Sequence, residues 1–273
     1  MPTGAVGKLG GMFADRLLNR FAGHGKAEGR ALRLDALRGL AVVWMSVFHF
    51  CFDLNFFGFL HQQMLSAPVW TVQRASIVSL FLFCAGMGQA LALQAGQGWP
   101  RFWKRWAQVA GCALLVTAGS YAVFPQTFIG FGVLHGLAVM LVVARLSAAL
   151  GRCLWPLGAV ALWLPLAAQT LLPGSGLEAV FNGVPLRVLG LVTVKPTTED
   201  YVPIFPWLGV VWWGMAAGQW LARHRPGMFA GALPGGPAGR ALAWLGRHSL
   251  PWYMLHQPVL LGLAGAFAWV VRP

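Results

Sequence analysis

RLDALRGLAVVWMSVFHFCFDLNFFGF, residues 33–59, decides how this chain folds. The stretch is apolar and longer than the ~20 residues a helix needs to cross the ~30 Å hydrocarbon layer. Yet it carries Asp35, Arg38, His49 and Asp53. At ~100° per residue, a helix would set Arg38 at about −60°, His49 at about −40° and Asp53 at about 0° relative to Asp35. All four share one narrow stripe. Ionisable groups in a membrane helix are costly and face a bundle interior, a cavity or a functional site. Chemistry is expected on this face.

The rest of the chain agrees with a membrane reading. Of 273 residues, 58% are hydrophobic and 10% charged, and seven acids cannot cover a water-soluble surface of this size. Apolar runs recur, so the expected fold class is all-α: a polytopic transmembrane helical bundle of about seven spans. These fall at roughly 37–59, 69–93, 106–124, 127–147, 153–172, 203–222 and 250–271. A β-barrel would show alternation of period two, which is absent. The net charge of +13 does not point to nucleic acid, because the bases cluster in short runs beside the spans.

Basic residues crowd the N-terminus, the 94–105 turn, the 145–152 turn and the 223–249 loop. The alternate loops hold few, which predicts a cytoplasmic N-terminus and an external C-terminus in the cell (inner) membrane. Residues 1–34 read as a basic cytoplasmic segment that could meet anionic lipid headgroups, and 35–273 as the membrane domain. No small-residue cleavage site follows a short apolar core, so no removable signal peptide is expected. The 173–202 loop is long for a bundle and would sit over the external mouth. Cys51, Cys84, Cys112 and Cys153 form no CxxC pair and read as small buried hydrophobes. No metal site is expected.

His49 lies mid-membrane and Asp53 one turn beyond it, a spacing that lets the carboxylate orient the imidazole. Such a histidine suits general base work on a hydroxyl or amine. His61, in the first external loop, is a second candidate base. Arg74, one turn into the second span, has Asp53 as its expected partner. His135 lies between Gly132 and Gly136 in FGVLHG and reads equally as packing or function. Glu199 and Asp200 are expected at the solvated external surface. In LGRHSLPWYMLHQPVL, His248 precedes a helix in which His256 and Gln257 sit beside Pro258, a kink that could line a ligand path. GxGxxG, P-loop, GxSxG and HExxH patterns are absent, so nucleotide hydrolysis, serine hydrolysis and zinc proteolysis have no support.

Five blocks resemble the transmembrane acyltransferase superfamily, nearest to its bacterial branch related to heparan-α-glucosaminide N-acetyltransferase. They are RLDALRGLAVVWMSVFHFCFDL (33–54), IVSLFLFCAGMGQALAL (77–93), FGVLHGLAVMLVV (131–143), DYVPIFPWLGVVWWG (200–214) and LGRHSLPWYMLHQPVLL (245–261). The first also resembles bacterial membrane O-acyltransferases, which carry an arginine, ten residues, then a histidine; here Arg38 and His49 have that spacing.

The resemblance implies acetyl-CoA on the cytoplasmic side and a glycan or similar envelope acceptor on the other. It places the catalytic base on His49, with Asp53 orienting it. The lysosomal enzyme's active histidine, in its first non-cytoplasmic loop, falls nearest His61. Arg38 with Asp35, and the basic turn with Arg101, Lys104 and Arg105, would meet the CoA phosphates. Arg74, His135, His248, His256 and Gln257 would line the pathway, with Gly86, Gly88 and Gly132 opening it. The alternative is a proton-coupled transporter using His49, Asp53 and Arg74, against which the chain shows no inverted repeat. The oligomeric state is open.

Overall fold

The computed structural model describes residues 31–228 and 236–271. The basic N-terminal segment up to residue 30 lies outside the described residues. The helices are α1 (Leu32–Phe56), α2 (Pro68–Gln94), α3 (Trp99–Val123), α4 (Val133–Ser147) and α5 (Leu154–Leu171). A short α6 (Glu178–Asn182), then α7 (Trp207–His224), α8 (Gly236–Arg247) and α9 (Ser249–Val271) complete the order. Among the described residues there is no strand; Phe131 and Tyr201 make one isolated parallel bridge.

Local chemistry sets several boundaries. Asp35 in the first turn of α1 complements the helix dipole. Pro68 and Pro100 sit where a first turn needs no N–H donor. The third helix starts at Trp99, seven residues before the expected position, because WPRFWKRW continues it as an interfacial turn.

Five helical stretches among the described residues are long and apolar enough to cross a membrane: 32–56, 68–94, 99–123, 133–171 and 249–271. Two differences from the expected seven follow. The spans expected at 127–147 and 153–172 form one helical stretch broken at Gly151, whose φ of 54° leaves the helical region. The span expected at 203–222 becomes α7, an 18-residue helix whose apolar character is diluted by Gln219, Arg223 and His224.

The core forms where α7 packs along α2. Leu82 and Ala90 of α2 meet Val211, Met215 and Ala216 of α7, with Met140 and Ala144 of α4 alongside. Gly86 and Gly214 permit this approach, since a Cβ on either would strike the opposite backbone. Helix α7 also repairs the break after α4. Trp212 Nε1 donates to Ser147 Oγ at 2.8 Å, Gln219 Nε2 to the Ala148 carbonyl at 2.8 Å and Trp213 Nε1 to the Trp155 carbonyl at 3.0 Å. Freed backbone groups in a membrane need such partners. Arg145, expected in a cytoplasmic turn, is buried instead. It donates to the Gln97 carbonyl and lies over the Trp99 and Phe102 rings.

Helix α8 was not expected, falling in what reads as the basic 223–249 loop. Its small residues make it a close partner of α1: a Cβ on Gly246 would strike the Asp35 carbonyl, and one on Gly39 the Leu242 carbonyl. After α8 the chain turns, and α9 runs beside the C-terminal half of α1, where Trp252 Nε1 donates to Ser46 Oγ at 2.9 Å and Phe59 meets Phe267. On the outside, Leu114, Leu115 and Val123 of α3 and Leu255, Leu263 and Trp269 of α9 are exposed, as suits helices solvated by lipid.

Candidate functional site

Helices α1 and α9 gather the polar residues that the membrane should exclude. Asp53 is 1% exposed and His256 8%. Gln257 Nε2 donates to Asp53 Oδ1 at 2.8 Å. The His49 and His256 rings meet edge to face, with centroids 5.0 Å apart. Met45, Phe48, Met64 and Ile77, backed by Trp44, Trp70, Phe81 and Tyr253, form an apolar cluster along this stretch of α1.

Four buried polar atoms on these four side chains have no hydrogen-bond partner: His49 Nδ1, Asp53 Oδ2, His256 Nε2 and Gln257 Oε1. Each unsatisfied group in an apolar medium costs of order 2–7 kcal/mol. A cluster kept only for packing would be replaced by apolar side chains at little loss. Such an arrangement persists where a substrate or water completes it. Among the described residues, no group of three or more His, Cys, Asp and Glu could hold a metal ion.

The expected pairing within the site changes. Asp53 does not hydrogen-bond His49; its partner is Gln257 on α9. Each instead meets a partner on α9, Gln257 for Asp53 and His256 for His49. Arg74 likewise does not find Asp53. It lies within electrostatic reach of Lys195 and Asp200 in the 173–202 loop.

The other candidates stand apart from this chamber. Arg38 pairs with Asp35 at 3.3 Å and lies against α2 near Gly88. His61 is exposed beside Gln62, whose N–H donates to Asn55 Oδ1 at 2.7 Å. Arg101 and Arg105 lie on the exposed face of α3. His248 is exposed at the turn into α9 and packs on Trp244.

His135 is a fastener. Its Nδ1 accepts from the Gly132 N–H at 3.3 Å, which puts the ring proton on Nε2, 3.0 Å from Thr117 Oγ1. The Thr117 hydroxyl donates in turn to the Ile129 carbonyl at 2.8 Å, tying α3 to α4. Both nitrogens are thus occupied. Gly86 and Gly132 do not open a path either: Gly86 abuts the Val211 carbonyl and Gly132 the Asp200 carboxylate.

The 173–202 loop is folded, held by its own hydrogen bonds and by one to the start of α4. Glu178 accepts from the Gly174 N–H and the Thr193 hydroxyl, which hold its carboxyl below the usual range. The Tyr201 hydroxyl donates to the Arg187 carbonyl at 2.5 Å, and burial pushes it up to about 12. Asp200, expected in solvent, instead accepts from the Val133 N–H at 2.7 Å and caps α4 across 67 residues of sequence. Burial pushes the Asp200 carboxyl up, while the Val133 N–H, Arg74 and Lys195 oppose that shift.

This cap has a measurable consequence. Asp200→Ala is expected to cost about 1 kcal/mol of stability, since it leaves a helix-terminal N–H unsatisfied. Asp200→Asn, which keeps an acceptor, should cost less. An unchanged thermal midpoint for Asp200→Ala in detergent would show that the cap contributes nothing.

Two recesses lie at the two ends of α1. One, about 630 Å³, is lined by Arg33, Trp220, Leu221, Arg225, Gly227 and Met228. The other, about 270 Å³, lies at the far end of α1 and includes Phe52, Asn55, Gln62 and Met64. Arg33 and Asn55 are separated by roughly 33 Å of helix at 1.5 Å per residue, close to the thickness of the hydrocarbon layer. From sequence, Arg33 and Arg225 read only as bases of the N-terminal segment and the 223–249 loop, and Trp220 had no assigned role. Their only signal was position, as bases and an aromatic flanking two spans.

No match is found among curated proteins or among solved structures. A family model described as "heparan-alpha-glucosaminide N-acetyltransferase, catalytic" matches residues 30–258. The match opens just before α1 and closes just after His256 and Gln257, so it takes in α1 and the first part of α9, with all four residues of the buried polar cluster. A match over most of the chain, across a bundle of apolar helices, places this protein in the heparan-α-glucosaminide N-acetyltransferase catalytic family.

Proposed function

We propose that this protein is an integral membrane acyltransferase that moves an acetyl group from cytoplasmic acetyl-CoA to a hydroxyl or amine of an envelope glycan or similar acceptor. The observation that carries the reading is the meeting of His49 and Asp53 with His256 and Gln257, all inside the family match. Acyl transfer to a weak nucleophile needs a group to take its proton and a donor to stabilise charge on the carbonyl oxygen. A buried histidine pair with unpartnered nitrogens suits both tasks.

The proposed topology has seven crossings: α1, α2, α3, α4, α5, α7 and α9. It sets the Arg33 recess in the cytoplasm and the Asn55 recess outside. Arg33 and Arg225 would receive the CoA phosphates in place of Arg101 and Arg105. His49 stands about 24 Å along α1 from Arg33 at 1.5 Å per residue, a span suited to the long pantetheine arm. The acceptor would approach from the nearer, outer recess. No metal enters this scheme.

Purified protein with labelled acetyl-CoA and glucosamine, the amino sugar suggested by the family's description, tests the reaction. Release of CoA with label on the sugar is the expected result. Lack of transfer to glucosamine or to envelope glycan extract would remove the enzyme reading and favour a transporter. The topology has its own check. A variant with Cys153 as the sole cysteine should resist an impermeant maleimide in intact spheroplasts and react after permeabilisation. Cys153 is exposed in the turn assigned to the cytoplasm, so labelling of intact cells would invert the orientation.

A further inference from the structure

The two nitrogens of His256 have unlike surroundings. Nδ1 lies 2.8 Å from the Tyr253 carbonyl oxygen. A carbonyl can only accept, so Nδ1 carries the proton and the neutral ring holds its lone pair on Nε2. That Nε2 is buried and has no partner. The anchor is local, one helical turn back, so the ring is held in this tautomer by its own helix. Pro258 follows two residues later, inside α9.

His49 has no comparable anchor. Its Nδ1 is also buried and unpartnered, and its ring faces His256 edge to face at 65°. Asp53 hydrogen-bonds neither ring; its Oδ1 accepts from Gln257 Nε2. One ring is therefore fixed with a buried acceptor nitrogen, and the other has no hydrogen bond that fixes its tautomer and is free to donate.

We propose that His256, rather than His49, is the catalytic base: its Nε2 takes the proton of the acceptor, while His49 donates to the oxygen of the acyl carbonyl. The assignment rests on the acyltransferase reading. In the step, the acceptor oxygen or nitrogen forms a bond to the thioester carbonyl carbon and its proton passes to His256 Nε2. The carbon–sulfur bond then breaks, and the departing thiolate takes that proton and leaves as CoA thiol. His256 returns to its neutral, Tyr253-anchored form. Gln257, by holding Asp53, keeps α9 in register with α1 and is a positioning residue.

The test compares full-length wild type with His256→Asn, His256→Ala and His49→Ala in CoA release from acetyl-CoA with glucosamine. Asparagine can still donate to the Tyr253 carbonyl but has no basic nitrogen, so His256→Asn keeps the local anchor. His256→Asn is expected to lower kcat by at least about 100-fold, with KM for acetyl-CoA changed by no more than about threefold. Added imidazole should restore part of the rate of His256→Ala and none of that of His49→Ala. Retention of kcat within about fivefold in His256→Asn would overturn the assignment while leaving the acyltransferase reading intact. So would imidazole rescue confined to His49→Ala, or a His256 loss that does not respond to imidazole. A wild type with no transfer would sink both.

Discussion

His49→Ala is expected to lower acetyl transfer by at least about 100-fold, the scale set by losing either a proton-transfer group or an oxyanion donor. The protein should remain folded. The ring makes an edge contact with Phe48 and another with His256, but its buried Nδ1 bonds nothing that truncation would orphan. Asp53→Asn is the companion variant. An asparagine oxygen can still accept from Gln257 Nε2, so the α1–α9 contact survives while the charge is lost. A fall in kcat with an unchanged melting midpoint would assign the charge a role in the reaction. Wild-type turnover in His49→Ala would remove His49 from the chemistry.

Gly246→Val should do comparable damage by a different route. The Cβ of any residue at 246 meets the Asp35 carbonyl and the backbone nitrogen of Gly39. Backbone atoms on a packed helix cannot rotate aside as a side-chain tip can. Overpacking of this kind costs about 1–3 kcal/mol and sometimes more. Helix α8 leads through His248 directly into α9, so relief of the clash shifts His256 and Gln257 against His49 and Asp53. A misplacement of about 1 Å can cost about 100-fold in rate. The expected result is a lower thermal midpoint in detergent together with lost transfer, and Gly246→Ala should show the same signs more weakly. A valine variant with native midpoint and activity would show that α8 is not held at this contact.

The stripe on α1 was legible from sequence because a helix has one period and a membrane has one rule for charge. Asp35, Arg38, His49 and Asp53 all turn inward, as the angular reading required. The partner of each was not legible. Asp53 and Gln257 lie 204 residues apart, and no local pattern encodes that meeting. Helix α8 was missed because a short, glycine-containing segment with two arginines resembles a cytoplasmic loop. Only its contact with Gly39 and Asp35 gives its apolar face a purpose. Asp200 misled for a related reason: an acid in an external loop is ordinarily solvated, unless a helix N-terminus 67 residues away needs an acceptor.

By itself the sequence determined the all-helical membrane class, the inward face of α1 and the family, because those follow from hydrophobic length, helical period and short motif blocks. Tertiary structure alone decided which polar groups share the chamber. It carried His256 and Gln257 to His49 and Asp53, left His61 and His248 exposed, and closed His135 within its own network. The physical reason is that burial without a partner is tolerated only where several elements converge, and convergence is set by close helix contacts such as Gly246 on α1, not by any single segment.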